Sequence, residues 1–191
     1  MGLRDRAILA TLIFTAARTG AIAKLNRKSL YHTGNQCLLH FAEKGGKSRH
    51  IPVRHDLQTC LEEYLSAAGL EDAPGHTPLF RAAKRKVRAL GENRMQRVYI
   101  WHMIKRHCRE AGLPADKLTG HSIRAMTATD LLEQGIPLAD VQYLLGHADP
   151  RTTRLYDRRK RQVTRNTVER ISVKPIYRHS PIMWTHGASW P

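Results

Sequence analysis

Apolar positions recur at helical spacing along most of the chain. Residues 5–17, DRAILATLIFTAA, are apolar almost throughout and rich in Ala and Leu, which predicts a buried helix. Leu57, Cys60, Leu61, Tyr64 and Leu65 fall on one helical face, with Asp56 as the expected cap and Gly69 just past the end. Cys60 is thereby a core residue. Residues 93–111 place Ile100, Met103, Ile104 and Cys108 on one side, and Gly112 closes that helix. Residues 122–134 read as helical, with Gly135 as the stop. Pro137 opens the run LADVQYLL, where Leu138, Val141, Leu144 and Leu145 hold core spacing and Gly146 ends the helix. Asp149-Pro150 then supplies a cap and first turn for a helix expected to carry Tyr156 and to run on, strongly basic, to about Ile171.

Only two stretches suggest strands, QCLLHF at 36–41 and SRHIPV at 48–53. Gly45-Gly46 between them predicts a β-hairpin. Residues 71–78 are rich in turn formers, and 81–97 are densely basic: a solvated surface, a DNA contact, or both. Beyond 171 periodicity is lost and Pro175 and Pro181 argue against a helix. The reading is one mainly α domain with a small β-hairpin or sheet (α+β) over 1–171, then a tail over 172–191.

Composition narrows the function. At 191 residues the chain can bury one sizeable core, and 41% hydrophobic with 25% charged residues is globular rather than disordered. Lys and Arg number 32 against 16 acids, and a net charge of +16 suits a polyanion, nucleic acid first. The three cysteines are far apart and odd in number, so neither a disulfide framework nor a zinc site is expected. The eleven histidines show no paired ligand spacing. No run of spanning length and no signal peptide appear, so no membrane partner and a cytoplasmic location are expected.

Residues 119–156 hold the chemistry. His121 and Arg124 are three apart and share a helix face; His147 leaves the next helix; Tyr156 follows nine residues later. Two tight reversals can bring Tyr156 back over His121 and Arg124, where all four could act on one phosphodiester. Upstream, Arg18 ends the first apolar helix, a position that also suits a cation near the C-terminal dipole. Lys44 and Lys47 flank the hairpin turn, where lysines also serve as solvated edge protection.

The order Arg, Lys, His-x-x-Arg, Leu-Leu-Gly-His, Tyr resembles the catalytic core of the tyrosine recombinases, the phage-integrase family. Thr15, Arg18, Ile22 and Leu25 match the family's T-G-L-R-x-S-E-L segment in register, with Ala16-Ala17 at the Gly-Leu positions and Ala21 at the usual acidic one. The segment EKGGKSR puts Lys44 at the family's catalytic lysine; Lys47 and Arg49 are left to DNA backbone or solvent. The resemblance runs from about residue 5 to residue 161 and implies the family's mainly helical catalytic domain.

It also implies a mechanism. Arg18 and Arg124 would offer planar forks of donors to the nonbridging oxygens of a phosphorane-like transition state. Tyr156 would attack phosphorus and form a 3′-phosphotyrosyl bond. His121 would take or carry the phenol's proton, and Lys44 would give one to the departing 5′-oxygen. His147 would donate to the phosphate or help place Tyr156. Neither metal nor ATP nor another cofactor is called for. The implied partner is double-stranded DNA, with four protomers on two sites and room for an accessory DNA-bending protein, in the nucleoid of a cell carrying a mobile element. Seventeen residues precede Arg18, so the family's N-terminal clamp domain is expected to be absent. The tail is expected either to dock on a neighbouring protomer or to be disordered. Two other readings compete: a type IB topoisomerase-like enzyme, and a DNA-binding relic of an integrase without catalysis.

Overall fold

The structure, a computed structural model, describes residues 2–42, 48–84 and 89–158. In chain order it has helix α1 (Leu3–Thr15), a short α2 (Thr19–Ala23), strands β1 (Leu30–Thr33), β2 (Gln36–Ala42) and β3 (Ser48–Pro52), and helix α3 (His55–Ala67). A second pair of strands, β4 (Arg81–Ala83) and β5 (Leu90–Arg94), precedes four helices: α4 (Arg97–Glu110), α5 (Gly120–Glu133), α6 (Leu138–Leu145) and α7 (Pro150–Arg154). The fold is mainly α with two small antiparallel sheets, β1-β2-β3 and β4-β5.

The main core joins α1, the three-stranded sheet, α3 and α4. Ala7, Ile8 and Leu12 of α1 lie in it with Leu57, Leu61, Tyr64 and Leu65 of α3, Leu39 and Phe41 of β2, and Ile100 and Ile104 of α4. Full burial of such a side chain contributes roughly 1.5–3 kcal/mol. Cys60 packs against this core, as its spacing predicts. Asp5, buried at the start of α1, accepts hydrogen bonds from Arg4 and from Arg106 and His107 of α4, so one carboxylate ties the two helices. Burial alone would raise its pKa. The hydrogen bonds from His107 and Arg4 and the charges of Arg4 and Arg106 outweigh that and hold it below the usual value.

A second, smaller core sets the site. Ala16, Ala128, Leu132, Val141 and Leu145 pack together, and Leu131, Leu138 and Tyr156 cover them. It fixes α5 against α6 and seats the ring of Tyr156 beside both.

Several boundaries differ from the sequence reading. The first helix stops at Thr15, because Ala16 turns into the left-handed region at φ 48°. The residue before α3 in cap position is Arg54; Asp56 lies in the first turn and pairs with the Arg54 side chain at 2.9 Å. The hairpin strands pair as expected, Leu39 with Ile51 and Phe41 with Arg49, but β1 adds a third strand that the sequence reading lacked. The basic stretch after residue 80 contains β4 and β5, and α4 begins at Arg97 rather than at 93. Tyr156 lies in a turn just past α7 rather than within the helix; its N–H donates to the Thr153 carbonyl at 3.0 Å. The hairpin turn with Lys44 and Lys47, the helix expected beyond Tyr156 and the tail fall outside the described residues, apart from the first two residues after Tyr156.

Candidate active site

A cleft of about 1440 Å³ opens where α2, β3, β5, α5 and the exit of α6 meet. Arg18, Lys24, Arg49, Arg94, Arg97 and Arg124 line it with His121 and His147, and among the described residues no carboxylate does. Such a surface attracts anions along its whole length.

Each candidate side chain is held by a local device. Arg18 is the residue before α2, and its backbone carbonyl accepts from Ala21 and Ile22 at 2.8 and 3.1 Å. Its side chain is exposed to the cleft. His121 and Arg124 ride on the first turns of α5. Thr119 caps that helix: its side chain accepts from the Ser122 N–H at 3.2 Å while Ser122 Oγ accepts from the Thr119 N–H at 3.2 Å. Arg124 is buried, and its guanidinium donates to the carbonyls of Ala16 and Leu145. It therefore locks the exit of α1 to the end of α6.

The end of α6 is secured by two arginines. Helix C-termini leave carbonyls without intrahelical partners, and cations there complement the dipole. Arg124 takes Leu145, while Arg49 takes Leu144 and, at 3.5 Å, Tyr143. Arg49 is 5% exposed and lies 5.7 Å from the Phe41 ring centre, so it is a buried strut and not the DNA-backbone or solvent contact suggested by the sequence. Strand alternation carried the signal, since Arg49 and Ile51 share the inner face of β3. Gly146, at φ 61°, then reverses the chain, a backbone state that L side chains disfavour. The N–H of His147 closes the turn on Gln142 at 3.2 Å, and the Gln142 side chain returns a bond to the His147 carbonyl at 3.0 Å.

These devices bring five of the six expected residues together. The Tyr156 ring centre lies 6.1 Å from that of His147, nearly parallel at 20°, and 6.3 Å from that of His121. Lys44 lies outside the described residues. Burial, followed by the charges of Arg124, Arg18, Arg49 and His121, lowers the His147 pKa to about 4. At neutral pH its imidazole is uncharged, a hydrogen-bonding group rather than a cation. Ala21 lines the cleft beside Arg18, where a carboxylate is usual in the resemblance.

Of the basic stretch read as solvated surface, DNA contact or both, Arg94 and Arg97 line the cleft, which the sequence did not single out. Arg94 donates to the carbonyls of Ala23 and Leu25 at 2.9 Å each and so anchors α2 from β5. The sequence also gave no sign of Gly120, whose bare Cα lets Thr19 of α2 pack directly on α5.

Among the described residues no group of His, Cys, Asp and Glu could hold a metal ion, and no helix is long and apolar enough to cross a membrane. Comparison with known proteins gives a match of residues 1–163 to the family model described as the phage integrase family. Tyrosine recombinase XerD of Xanthomonas campestris pv. campestris is 31% identical over 164 residues, covering 82% of this chain and 48% of that protein. Tyrosine recombinase XerA of Pyrococcus furiosus is 31% identical over 171 residues, covering 90% and 56%. This chain thus spans about half the length of the curated relatives it matches. Among solved structures, XerH recombinase in a post-cleavage complex with its difH substrate superposes with a TM-score of 0.66 at 25% identity, covering 81% of this chain and 42% of that one. XerA recombinase superposes with a TM-score of 0.64 at 23% identity, covering 87% and 55%, a likeness of fold.

Proposed function

Because the chain belongs to the phage integrase family, we propose that it is a site-specific recombinase that cuts and rejoins double-stranded DNA through a 3′-phosphotyrosyl intermediate. The observation that carries this reading is the meeting of Arg18, His121, Arg124 and His147 in one cleft that no carboxylate lines among the described residues, with the Tyr156 ring against both imidazoles. A scissile phosphate in the cleft takes charge on its nonbridging oxygens as the transition state forms. Arg18 and Arg124 face that charge, and Arg124 is already immobilised by two carbonyls, so little reorganisation is needed. Tyr156 attacks phosphorus and the 5′-oxygen leaves. The Tyr156 phenol must lose its proton as it attacks, and passes it to His121. Lys44 protonates the leaving oxygen. His147, neutral, donates a hydrogen bond to the phosphate. The phosphotyrosyl bond conserves the energy of the broken linkage, so a 5′-hydroxyl can reverse the step without ATP.

The catalytic unit in this reading spans residues 1–171, followed by a tail over 172–191. Exchange between two duplexes requires four active sites, hence a homotetramer on paired sites, with an accessory DNA-bending protein where the sites must be brought together. The nucleoid is where such a substrate lies. XerH, lambda integrase and the Tn1549 integrase have been captured on DNA, which supports duplex DNA as the substrate.

The test is covalent capture. A pool of nicked duplexes with randomised flanks is incubated with the 191-residue chain and resolved on a denaturing gel. The wild type should form a protein–DNA adduct. Tyr156→Phe should form none while binding the same pool with unchanged affinity, because binding is spread over many cations. An adduct with the Phe variant would remove Tyr156 as nucleophile. No adduct with the wild type would leave a DNA-binding protein without cleavage chemistry.

A further inference from the structure

We propose that Thr153 is a positioning residue that fixes His147 in the tautomer carrying its proton on Nε2, so that the ring offers a donor to the cleft. The inference rests on the catalytic reading of the cleft for its purpose, though not for its geometry. Thr153 Oγ1 lies 2.9 Å from His147 Nδ1. Thr153 is fully buried, and among the described residues His147 Nδ1 is the partner of its hydroxyl.

Hydrogen-bond accounting then decides which group donates. A hydroxyl has one hydrogen to give and lone pairs to spare. If Nδ1–H donated to Thr153, the hydroxyl hydrogen would be buried with no acceptor, and an unpaired buried donor carries its full desolvation cost. If Thr153 donates to Nδ1, only a lone pair is idle. The second arrangement is favoured. It leaves Nδ1 without a proton. The ring has one proton at neutral pH, since burial and the charges of Arg124, Arg18, Arg49 and His121 hold its pKa at about 4. That proton must sit on Nε2.

This outcome is not what the surroundings alone would select. Arg18, Arg49 and Arg124 share the cleft wall with His147, and cations favour a bare lone pair turned toward them. With Nδ1 turned to the buried threonine, Nε2 is the nitrogen left for the cleft. Without the threonine hydroxyl the imidazole would present an acceptor to an incoming phosphate, which is itself only an acceptor. Thr153 is also coupled to the nucleophile, because its carbonyl accepts the Tyr156 N–H at 3.0 Å and the Tyr156 ring stacks on His147. One residue thus sets the proton on His147 and the start of the turn that presents Tyr156.

The experiment uses the full chain labelled with ¹⁵N-histidine. His147 ring signals are assigned by difference against His147→Gln, and the two nitrogens are classed as protonated or bare from their shifts. The wild type and Thr153→Ser should show bare Nδ1 and protonated Nε2. Thr153→Val, equal in shape but without the hydroxyl, should move the ring toward the Nδ1–H form. Its single-turnover DNA cleavage should slow by roughly tenfold at unchanged DNA affinity, with Thr153→Ser near wild type. A wild-type ring protonated on Nδ1 overturns the proposal whether or not the Val variant folds. So does a folded Val variant that keeps the wild-type pattern. Tautomers that respond as described, in a chain that forms no adduct, uphold the hold of Thr153 on His147 and overturn the recombinase reading instead.

Discussion

A single methyl group at Gly120 should separate the two halves of the cleft. Gly120 opens α5, immediately before His121, and Thr19 opens α2, immediately after Arg18. A Cβ built at Gly120 runs into Thr19 Cγ2, far inside van der Waals contact, while Thr19 Cβ and Ile104 Cδ1 stand at 3.8 and 3.9 Å. Carbon atoms rest at about 3.5–4.0 Å, so Gly120→Ala must push α2 from α5 by roughly 1 Å unless Thr19 rotates. Thr is β-branched but keeps two χ1 rotamers on a helix, so one rotation of Thr19 competes with the shift. Overpacking of this kind costs about 1–3 kcal/mol, or a melting shift of roughly 2–12 °C for a chain of this size. The effect on chemistry should be larger, because roughly 1 Å of misplacement at a reacting centre can cost about 100-fold. The assay pairs thermal melting with single-turnover cleavage of a nicked duplex. Adding Thr19→Ser removes Cγ2 and leaves the 3.8 Å contact, so Gly120→Ala/Thr19→Ser should regain most of the rate. A Gly120→Ala chain cleaving at the wild-type rate, or a double variant no better than the single, would refute the claim that this contact sets the spacing of Arg18 from His121.

Arg49→Met should lower stability by about 2 kcal/mol in urea melts, because the carbonyls of Tyr143 and Leu144 lose a charged donor at the end of α6; a loss under about 0.5 kcal/mol would return Arg49 to the surface role the sequence suggested. His147 has a folded pKa of about 4 against an ordinary 6.5, so between these values the unfolded chain binds more protons and stability falls as pH drops. His147→Gln should flatten the stability profile in that window, whereas the contribution of Asp5, whose pKa is lowered, is lost only as pH falls below 3.8. An unchanged profile in His147→Gln would contradict the depressed pKa. Lys44→Ala should slow cleavage by roughly 100-fold and recover most of that on a duplex whose bridging 5′-oxygen is sulfur, since a thiolate leaves without a proton. Arg18→Ala should show no such rescue, and rescue of Lys47→Ala instead would move the general acid along the hairpin.

Local chemistry made much of this protein legible from its residues alone. Gly146, Pro137 and the Asp149-Pro150 pair determine where α6 ends and where α6 and α7 begin, because positive φ, a missing N–H and a capping carboxylate act within a few residues. The order of Arg18, His121, Arg124, His147 and Tyr156 was visible for the same reason: each belongs to a short motif. What the residues did not show arises from contacts distant in sequence. Arg49 looked like one more cation on a basic hairpin. It is buried because α6, nearly a hundred residues later, ends on it and needs donors for its carbonyls. Strands β1 and β4 are too short to show a period and β5 has no apolar alternation; all three exist because paired neighbours satisfy their backbone. Ala16 adopts a left-handed turn that alanine does not favour, and Arg124, more than a hundred residues later in the chain, holds its carbonyl. Thr153 reads as an ordinary helix residue until His147 is seen beside it. Sequence determined which groups are present and, where a Gly, Pro or capping residue gives a local signal, where an element begins or ends. Only the packing of α1, β3, α5, α6 and α7 decided which charges are buried, which carbonyls receive them, and which nitrogen of His147 holds the proton, since those outcomes depend on groups from separate elements.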